Sequence, residues 1–239
     1  MTLDRIDPRT SRRRPGRPRS AGAGEAGRPG SAEGPQADIL RVATEEFAAN
    51  GLSGARVDAI AERTRTTKGM IYYYYGSKEG LYIAVLERAY SSIRSAEDHA
   101  RFATLPPREA VTALVEASFD FHWKNPHVGR LISIENINGA RYLEQAPRIK
   151  EQNVSAIAAW DLVLTAGQKA GLFRHDVSPV DLHAFVSSLC LFRVTNRATF
   201  KAIFDIDFAD DAVRARHRRL IVAMVLEFLC GEDDAPAQA

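Results

Sequence analysis

Residues 66–81, TTKGMIYYYYGSKEGL, decide the fold of this 239-residue chain. The spacing predicts a helix from about Thr67 to Tyr74, followed by Ser77 as the N-cap of the next helix. At helical spacing, Ile71 and Tyr74 fall on the side that packs against Phe47 and Ile60. The other side of this helix is free to contact a partner, and it carries Thr67, Lys68, Met70, Tyr72 and Tyr73.

A second short helix precedes this stretch, from about Arg56 to Arg63, with Val57, Ile60 and Ala61 inward. Two short helices joined by a tight turn are typical of a helix-turn-helix, whose second helix enters the major groove of DNA. Gly69 costs about 1 kcal/mol in mid-helix relative to alanine, and a close approach of the backbone to the duplex would explain its presence. Lys78, beside the helix start at Ser77, is placed for a phosphate oxygen.

Taken singly, these residues carry little information, because a tyrosine cluster is usually packing and Thr-Lys-Gly is a common turn. The ordered run is more specific. Together with FAANG at 47–51 and VDAIAERT at 57–64, it resembles the tetracycline-repressor (TetR) family, whose pattern here is S-K-G-x-L-Y-x-Y-F-x-S-K-E-x-L. The match spans about residues 37–86. It implies a dimeric, all-α protein with an N-terminal DNA-binding head and a C-terminal domain for ligand binding and dimerisation.

The resemblance also implies roles for individual residues. Thr67, Lys68, Tyr72, Tyr73 and Lys78 match DNA-contacting positions of the family, Gly69 matches the close-approach position, and Tyr74 and Tyr75 match a largely structural aromatic pair. Arg56 and Met70 are added because of their place in the motif. The expected DNA-contacting set is therefore Arg56, Thr67, Lys68, Gly69, Met70, Tyr72, Tyr73 and Lys78.

The head departs from the family pattern at three places. Ala55 and Arg56 stand where a capping Thr or Ser is common, so Arg56 could supply the phosphate contact but not the cap. Arg65 stands where the turn usually has glycine, which requires an arginine in an unfavourable φ region or a shifted turn. Thr66 replaces an apolar residue of the turn.

Residues 1–36 differ from the rest of the chain in composition. They are rich in Arg, Pro, Gly, Ala and Ser, and eight arginines face four carboxylates, although the whole chain has a formal net charge of only +2. We predict a disordered basic arm. Its core resembles half of an AT-hook, which would place Arg14, Arg17 and Arg19 in a narrow minor groove. The alternative is a solvated tail that adds only salt-dependent affinity.

The remaining sequence predicts about nine helices in all and no sheet. The Pro106-Pro107 pair starts a helix from Arg108 to Lys124, and the Ser178-Pro179 pair starts another that should run to about Thr199. The first helix should run from Asp38 to Asn50 and stop at Gly51. The helix 148–170 should end at Gly171, and the last should cover 211–229. We expect a helix-turn-helix domain at 37–86, a ligand-binding and dimerisation domain at 87–231, and a disordered tail at 232–239.

Polar residues within the apolar helices of the C-terminal domain are candidates for a small-molecule site, because such sites combine apolar walls with a few polar groups. The alternative for each is an interhelical hydrogen bond, a solvent-facing position or plain core packing. The candidates are His122, Trp123, Glu135, Asn136, Arg141, Trp160, Arg193 and Asn196. The last two helices are the expected dimer interface, through Leu189, Phe192, Ile221, Met224, Val225 and Phe228.

Other classes of function find little support. The two cysteines read as core residues of a reducing compartment, and no apolar run suggests a membrane span, so we expect a cytoplasmic protein. No nucleophile elbow, phosphate loop or metal spacing appears, so we expect no enzyme activity, cofactor or metal. We predict a homodimeric regulator that binds a palindromic double-stranded DNA operator and is released by a small-molecule effector. An activator of the same architecture and a nonspecific architectural DNA-binding protein are the alternatives.

Overall fold

The computed structural model describes residues 34–97 and 101–231, apart from the side chains of 147 and 150–156. This part of the chain is all-α, as predicted, and contains no strand. It forms ten helices: α1 Gly34–Gly54, α2 Val57–Arg63, α3 Lys68–Tyr75, α4 Lys78–Ala96, α5 Pro107–Lys124, α6 Pro126–Ile137, α7 Pro147–Lys169, α8 Pro179–Thr195, α9 Arg197–Phe204 and α10 Asp211–Cys230. None of the described helices is both long and apolar enough to cross a bilayer.

The predicted helix starts are confirmed by their capping bonds. The Ser77 hydroxyl oxygen accepts a hydrogen bond from the amide of Gly80, and that of Ser178 accepts one from Asp181. The predicted stop at Gly51 is also seen, since Gly51 has φ 65° and interrupts α1 before one further turn. Such caps satisfy amide and carbonyl groups that a helix end leaves unpaired.

The prediction was wrong at the end of α8, which stops at Thr195 rather than near Thr199, so a separate helix α9 raises the number to ten. Asn196 is the reason. Its side-chain amide donates to the carbonyl of Phe192 at 3.1 Å and to Thr195 Oγ1 at 3.0 Å. A short amide side chain that bonds the preceding turn competes with continued helix.

The head is built on one buried cluster. Ile39, Phe47, Ile60, Ile71 and Leu81 are at most 1 % exposed, which confirms the predicted inward faces of α1, α2 and α3. The same cluster continues through α4 and into the α6 region, so the head packs directly against the C-terminal half. A second cluster lies within α5, α7, α8 and α10 and includes the fully buried Trp160.

The turn between α2 and α3 has a left-handed arginine, the first of the two alternatives that the sequence leaves open. Arg65 has φ 52°. The Thr66 amide donates to the Ala61 carbonyl at 3.0 Å, and the Arg65 amide donates to Glu62 at 3.3 Å. This is the hydrogen-bonding pattern of a helix C-cap in which glycine is favoured at the left-handed position.

Replacing Arg65 by glycine should therefore stabilise the protein by roughly 0.5–1 kcal/mol. The left-handed conformation costs a residue with a Cβ about 1–2 kcal/mol. Glycine avoids that cost, but its greater freedom in the unfolded chain offsets part of the stabilisation. Urea unfolding would measure the change. Arg63→Gly, in the helix just before the turn, is the matched control and should destabilise. A destabilised Arg65→Gly variant would contradict the argument.

Candidate nucleic-acid interface and sensor core

The outer face of α3 is polar, aromatic and open to solvent. Lys68, Gly69 and Met70 are exposed, and Tyr73 is 80 % exposed, which is unusual for a large aromatic residue. The Thr67 hydroxyl oxygen accepts a hydrogen bond from the amide of Met70 at 3.2 Å and caps the helix. The face expected to meet DNA is therefore free of intramolecular cover.

Gly69 has no reason inside the protein to be glycine. A Cβ added there would meet only the Thr67 hydroxyl at 3.8 Å, an ordinary contact. At Gly80, by contrast, a Cβ would lie 2.0 Å from the carbonyl oxygen of Tyr75, so internal packing requires that glycine. A glycine at position 69 instead leaves room for a partner outside the chain to approach the backbone of this helix.

The four tyrosines divide between the two sides of α3. Tyr72, Tyr74 and Tyr75 are half-buried and pack against the head core, and the Tyr75 hydroxyl donates to the Gln36 carbonyl at 3.3 Å. Tyr73 meets Tyr74 edge-on, with ring centroids 5.6 Å apart, and most of its surface is open to solvent. Tyr72 thus offers only part of its ring to a partner, whereas Tyr73 offers nearly all of it.

The cationic residues around α3 are held in place by neighbours. Lys68 Nζ lies 3.0 Å from Asp58 Oδ2, and this exposed pair raises the pKa of the lysine through hydrogen bonding and charge attraction. Lys78 Nζ donates to the Ser53 carbonyl at 3.3 Å. Both ammonium groups remain at the surface, on the side of the head that carries the start of α3 and α4.

Arg56 is exposed at the start of α2, and its side chain forms no cap. Its amide instead donates to Glu46 Oε1 of α1 at 3.1 Å, and the same oxygen accepts from the Asn50 amide. Glu46 therefore satisfies the amide of the N-cap residue, whereas no side chain of the described residues caps the amides inside the first turn of α2. The sequence analysis missed this residue, because the contact spans ten positions and no local pattern marks it.

Arg14, Arg17 and Arg19 lie outside the described residues. Their predicted entry into a minor groove stays a prediction.

In the C-terminal half, two of the predicted ligand residues come together with others that the sequence analysis missed. Trp160 faces both Glu97 and His183, His183 lies near His122, and Ser118 is one turn before His122 on α5. We call these five residues the buried polar cluster. Trp160 and His183 have ring centroids 5.6 Å apart, and Glu97 accepts from Arg94 at 2.9 Å. The spacing of Ser118 and His122, four positions apart on one helix face, was a signal available in the sequence.

The buried polar cluster contains polar atoms without partners. Ser118 Oγ, His122 Nδ1 and Trp160 Nε1 are buried and form no hydrogen bond of normal geometry with the described residues, although Ser118 adjoins the Cys190 thiol and Trp160 faces Glu97. Leaving one such group unpaired costs about 1–3 kcal/mol. A bound molecule with matching donors and acceptors would recover that energy.

Protonation in this cluster is shifted by burial. Burial lowers the pKa of His122 to about 4, with a further contribution from His183. Burial and then Arg94 lower the pKa of His183 to about 4. Burial raises the pKa of Glu97 to about 7 against the opposing effects of Arg94 and Trp160. At neutral pH both imidazoles are therefore neutral.

Acid should destabilise the protein between pH 6.5 and 4.5. In that window the unfolded chain protonates both histidines, whose ordinary pKa is 6.5, whereas the folded chain does not. Glu97 acts in the opposite sense. Between its folded pKa of about 7 and its ordinary pKa of 4.5, the carboxyl group is protonated in the folded chain and ionised in the unfolded chain. From these three groups the unfolded chain binds about one proton more than the folded chain, so the free energy of unfolding should fall by roughly 1 kcal/mol for each pH unit of acidification.

His122→Gln should flatten the dependence of the unfolding free energy on pH. In this variant only the proton uptake of His183 in the unfolded chain remains, and the opposite effect of Glu97 cancels it. Urea titrations at several pH values across the window would measure both slopes. A variant that is less stable at every pH but keeps the wild-type slope would contradict this assignment.

The other predicted ligand residues are not gathered around this cluster. Glu135 is fully buried, and its carboxyl group accepts from the Tyr82 hydroxyl at 2.9 Å and from the amides of Tyr142 and Leu143 at 3.1 and 3.2 Å. Asn136 and Arg141 are exposed. Glu135 therefore joins α4 to the α6–α7 connection, with its acceptors already used.

Arg193 and Asn196 lie at the end of α8, and Trp123 lies at the end of α5. The buried Arg193 donates to His217 Nδ1 at 3.0 Å and to the Phe208 carbonyl at 3.3 Å. Asn196 ends α8 as described above, and Trp123 is half-buried beneath the Arg214 guanidinium. These residues stand apart from the buried polar cluster.

An apolar face remains open on α8 and α10. Phe185, Phe192, Leu220, Met224 and Phe228 are each at least 37 % exposed. Two residues predicted for the dimer interface, Ile221 and Val225, are instead buried in the core of the protomer, because they lie about 100° round α10 from the exposed face. A contiguous set of exposed large apolar side chains on two helices is typical of a protein–protein contact.

Comparisons with known proteins agree with this architecture. Residues 39–85 match the family model for bacterial regulatory proteins of the tetR family, and residues 107–225 match the tetracyclin repressor-like C-terminal domain. The transcriptional repressor NicS of Pseudomonas putida is 31 % identical over 178 residues, which cover 74 % of this chain and 84 % of NicS.

Two further proteins, both from Streptomyces coelicolor, are similar. The transcriptional repressor SCO4008 is 30 % identical over 63 % of this chain and 73 % of its own. The solved structure of the transcriptional regulator SCO4942 has a TM-score of 0.62 and 29 % identity, over 82 % of this chain and 98 % of that one. With an open helix-turn-helix face, an all-α sensor half and these relatives, the chain belongs to the TetR family of transcription regulators and is not an enzyme.

Proposed function

We propose that this protein is a repressor that binds a palindromic operator as a homodimer and is released when a small molecule enters the buried polar cluster. The observation that carries the proposal is the pairing of two features in one chain: an uncovered recognition face on α3 and a set of unpartnered polar atoms in the sensor core. Repression is favoured because NicS and SCO4008 are both named as repressors.

For the DNA contacts, we propose Tyr73, Lys68, Gly69 and Met70 of α3 as the main groove-facing residues. Arg56, Thr67 and Lys78 are placed around them for phosphate contacts, since exposed cations and helix starts commonly meet the backbone. Tyr72 contributes the exposed part of its ring. In this proposal the head extends from residue 37 to about 86.

For dimerisation, we propose that the exposed apolar face of α8 and α10 packs against its symmetry mate as a four-helix bundle. Two heads could then reach successive major grooves about 34–36 Å apart. The effector would favour a conformer in which that spacing is wrong, which requires only that it bind the two conformers with different affinity.

For the effector, we propose a small, mostly apolar molecule with a few hydrogen-bonding groups. The neutral imidazole of His122, the Trp160 indole N–H and the Ser118 hydroxyl would pair with those groups, and the surrounding helices would supply apolar walls. Glu135, Asn136 and Arg141 are left out of this site, because Glu135 is saturated and the other two are exposed.

Release from DNA tests the proposal. A fragment bound by the wild-type protein would be selected from the DNA around its gene and used in a mobility-shift titration with a panel of metabolites. We expect one compound to release the wild-type protein at low concentration, and His122→Gln to require at least about tenfold more. His127→Gln, with its ring near the start of α6, is the matched control. Equal release of both variants would refute the assigned site, and no release by any compound in the panel would count against ligand control.

A further inference from the structure

A second concave site lies between the end of α5, the start of α6 and the junction of α8 and α9. It is a cleft of about 770 Å³, and its lining includes five cationic side chains and no carboxylate. We call it the basic cleft, lined by Trp123, Lys124, Arg130, Arg193, Arg197 and Lys201. Like charges that converge on a concave surface raise the local concentration of anions.

The cleft carries more positive charge than its neighbours neutralise. Arg197 Nε and Lys201 Nζ share one carboxylate, at 2.8 Å and 3.2 Å from Asp207. Lys124 and Arg130 are exposed and have no ion-pair partner among the described residues. Two cations are therefore free to meet a ligand, and two more share a single negative charge.

Arg193 forms the rigid part of the cleft. It is 7 % exposed, donates to His217 Nδ1 at 3.0 Å, and holds its guanidinium 4.5 Å from the ring centroid of Phe119. A cation fixed by stacking and hydrogen bonding loses little conformational entropy when a ligand binds.

Trp123 gives the cleft a flat apolar wall. Its indole is half-buried, and Arg214 lies 5.1 Å over the ring. Small-molecule sites typically combine such an aromatic surface with a few charged groups. The wall suits an aromatic or apolar portion of the ligand, next to its charges.

We infer that the basic cleft binds a small organic anion that carries two or more phosphate or carboxylate groups beside a flat apolar portion. The site is distinct from the buried polar cluster and adds a second ligand to the proposed function. The DNA backbone is the competing polyanion. A concave site of this volume with a half-buried indole favours the small molecule, because phosphate contacts to DNA use exposed side chains and need no cavity.

Binding of adenosine triphosphate to the full chain is the test, with inorganic pyrophosphate as a probe of the charges alone. Calorimetry should show saturable binding, and the emission of Trp123 should change while the fully buried Trp160 supplies a constant background. The Lys124→Glu, Arg130→Glu double variant should bind adenosine triphosphate at least about tenfold more weakly. Pyrophosphate should bind more weakly than adenosine triphosphate to the wild type.

Arg108→Glu is the matched control, an exposed charge reversal at the other end of α5, and it should bind as the wild type does. Circular dichroism melting would confirm that all variants are folded. Absence of saturable adenosine triphosphate binding would overturn the inference, as would equal binding by the double variant. A double variant that keeps this binding but shows a weaker salt dependence of operator affinity would assign the cleft to the DNA backbone instead.

Discussion

Replacing Glu135 by alanine should lower the free energy of unfolding by about 3 kcal/mol or more. The substitution leaves three buried donors without an acceptor: the Tyr82 hydroxyl and the amides of Tyr142 and Leu143. It also opens a cavity in a core where Tyr82 packs edge-on against Phe47 and Tyr142, at 5.0 and 5.4 Å between ring centroids. Unfolding in urea would measure the loss.

Two further variants separate the causes. Glu135→Gln keeps the shape and can keep all three contacts, since its carbonyl oxygen accepts from the two amides and its amide can donate to the Tyr82 hydroxyl oxygen. It should cost much less than Glu135→Ala. Tyr82→Phe removes only the bond between α4 and the α6 region, so it should cost about 1 kcal/mol. If Glu135→Gln were as unstable as Glu135→Ala, the hydrogen-bond account would be wrong.

The second large effect is expected at Tyr73, and it concerns operator affinity rather than stability. Tyr73→Ala should weaken operator binding by about 10- to 100-fold, the range expected for losing a good groove contact. The melting temperature should change little, because Tyr73 is 80 % exposed and meets the ring of Tyr74 edge-on. Fluorescence anisotropy with a labelled operator would measure the affinity.

Tyr73→Phe distinguishes the hydroxyl from the ring. If the hydroxyl donates to a base edge or a phosphate, the phenylalanine variant should lose a large part of the affinity, and if the ring packs against a thymine methyl or a sugar, it should lose little. Glu62→Ala, an exposed substitution on α2, is the control for nonspecific effects on the head. Wild-type affinity in Tyr73→Ala would show that the outer face of α3 does not contact the operator.

Local features of the fold could be predicted from the sequence because local chemistry determines them. The caps at Ser77 and Ser178, the stop at Gly51 and the left-handed Arg65 each follow from one or two residues and their neighbours. The inward face of α3 at Ile71 follows from helical period alone. The family motif then supplied the fold class and the regulatory function, which the relatives confirm.

Contacts between distant segments could not be predicted in this way. Glu46 accepts from the Arg56 amide at the start of α2 across ten residues, and Glu135 accepts from the Tyr82 hydroxyl across 53. Ile221 and Val225 were assigned to the dimer interface because periodicity gives a helix two candidate apolar faces and does not say which one faces the protomer's own core. His183 and Glu97 belong to the buried polar cluster because α5 and α7 each pack against both α4 and α8, and no sequence pattern shows that packing. The DNA-contacting and ligand-contacting residues stay predictions until variants are measured.

A nuclease footprint on the DNA flanking the gene tests the central claim most directly. The protein should protect a palindromic segment whose two half-sites are centred about 34–36 Å apart, roughly one helical turn or a multiple of it. Tyr73→Ala should lose this protection at concentrations where the wild type is saturated. Uniform coverage of the fragment without a boundary, or a single half-site protected as strongly as the palindrome, would contradict a dimeric operator-specific regulator.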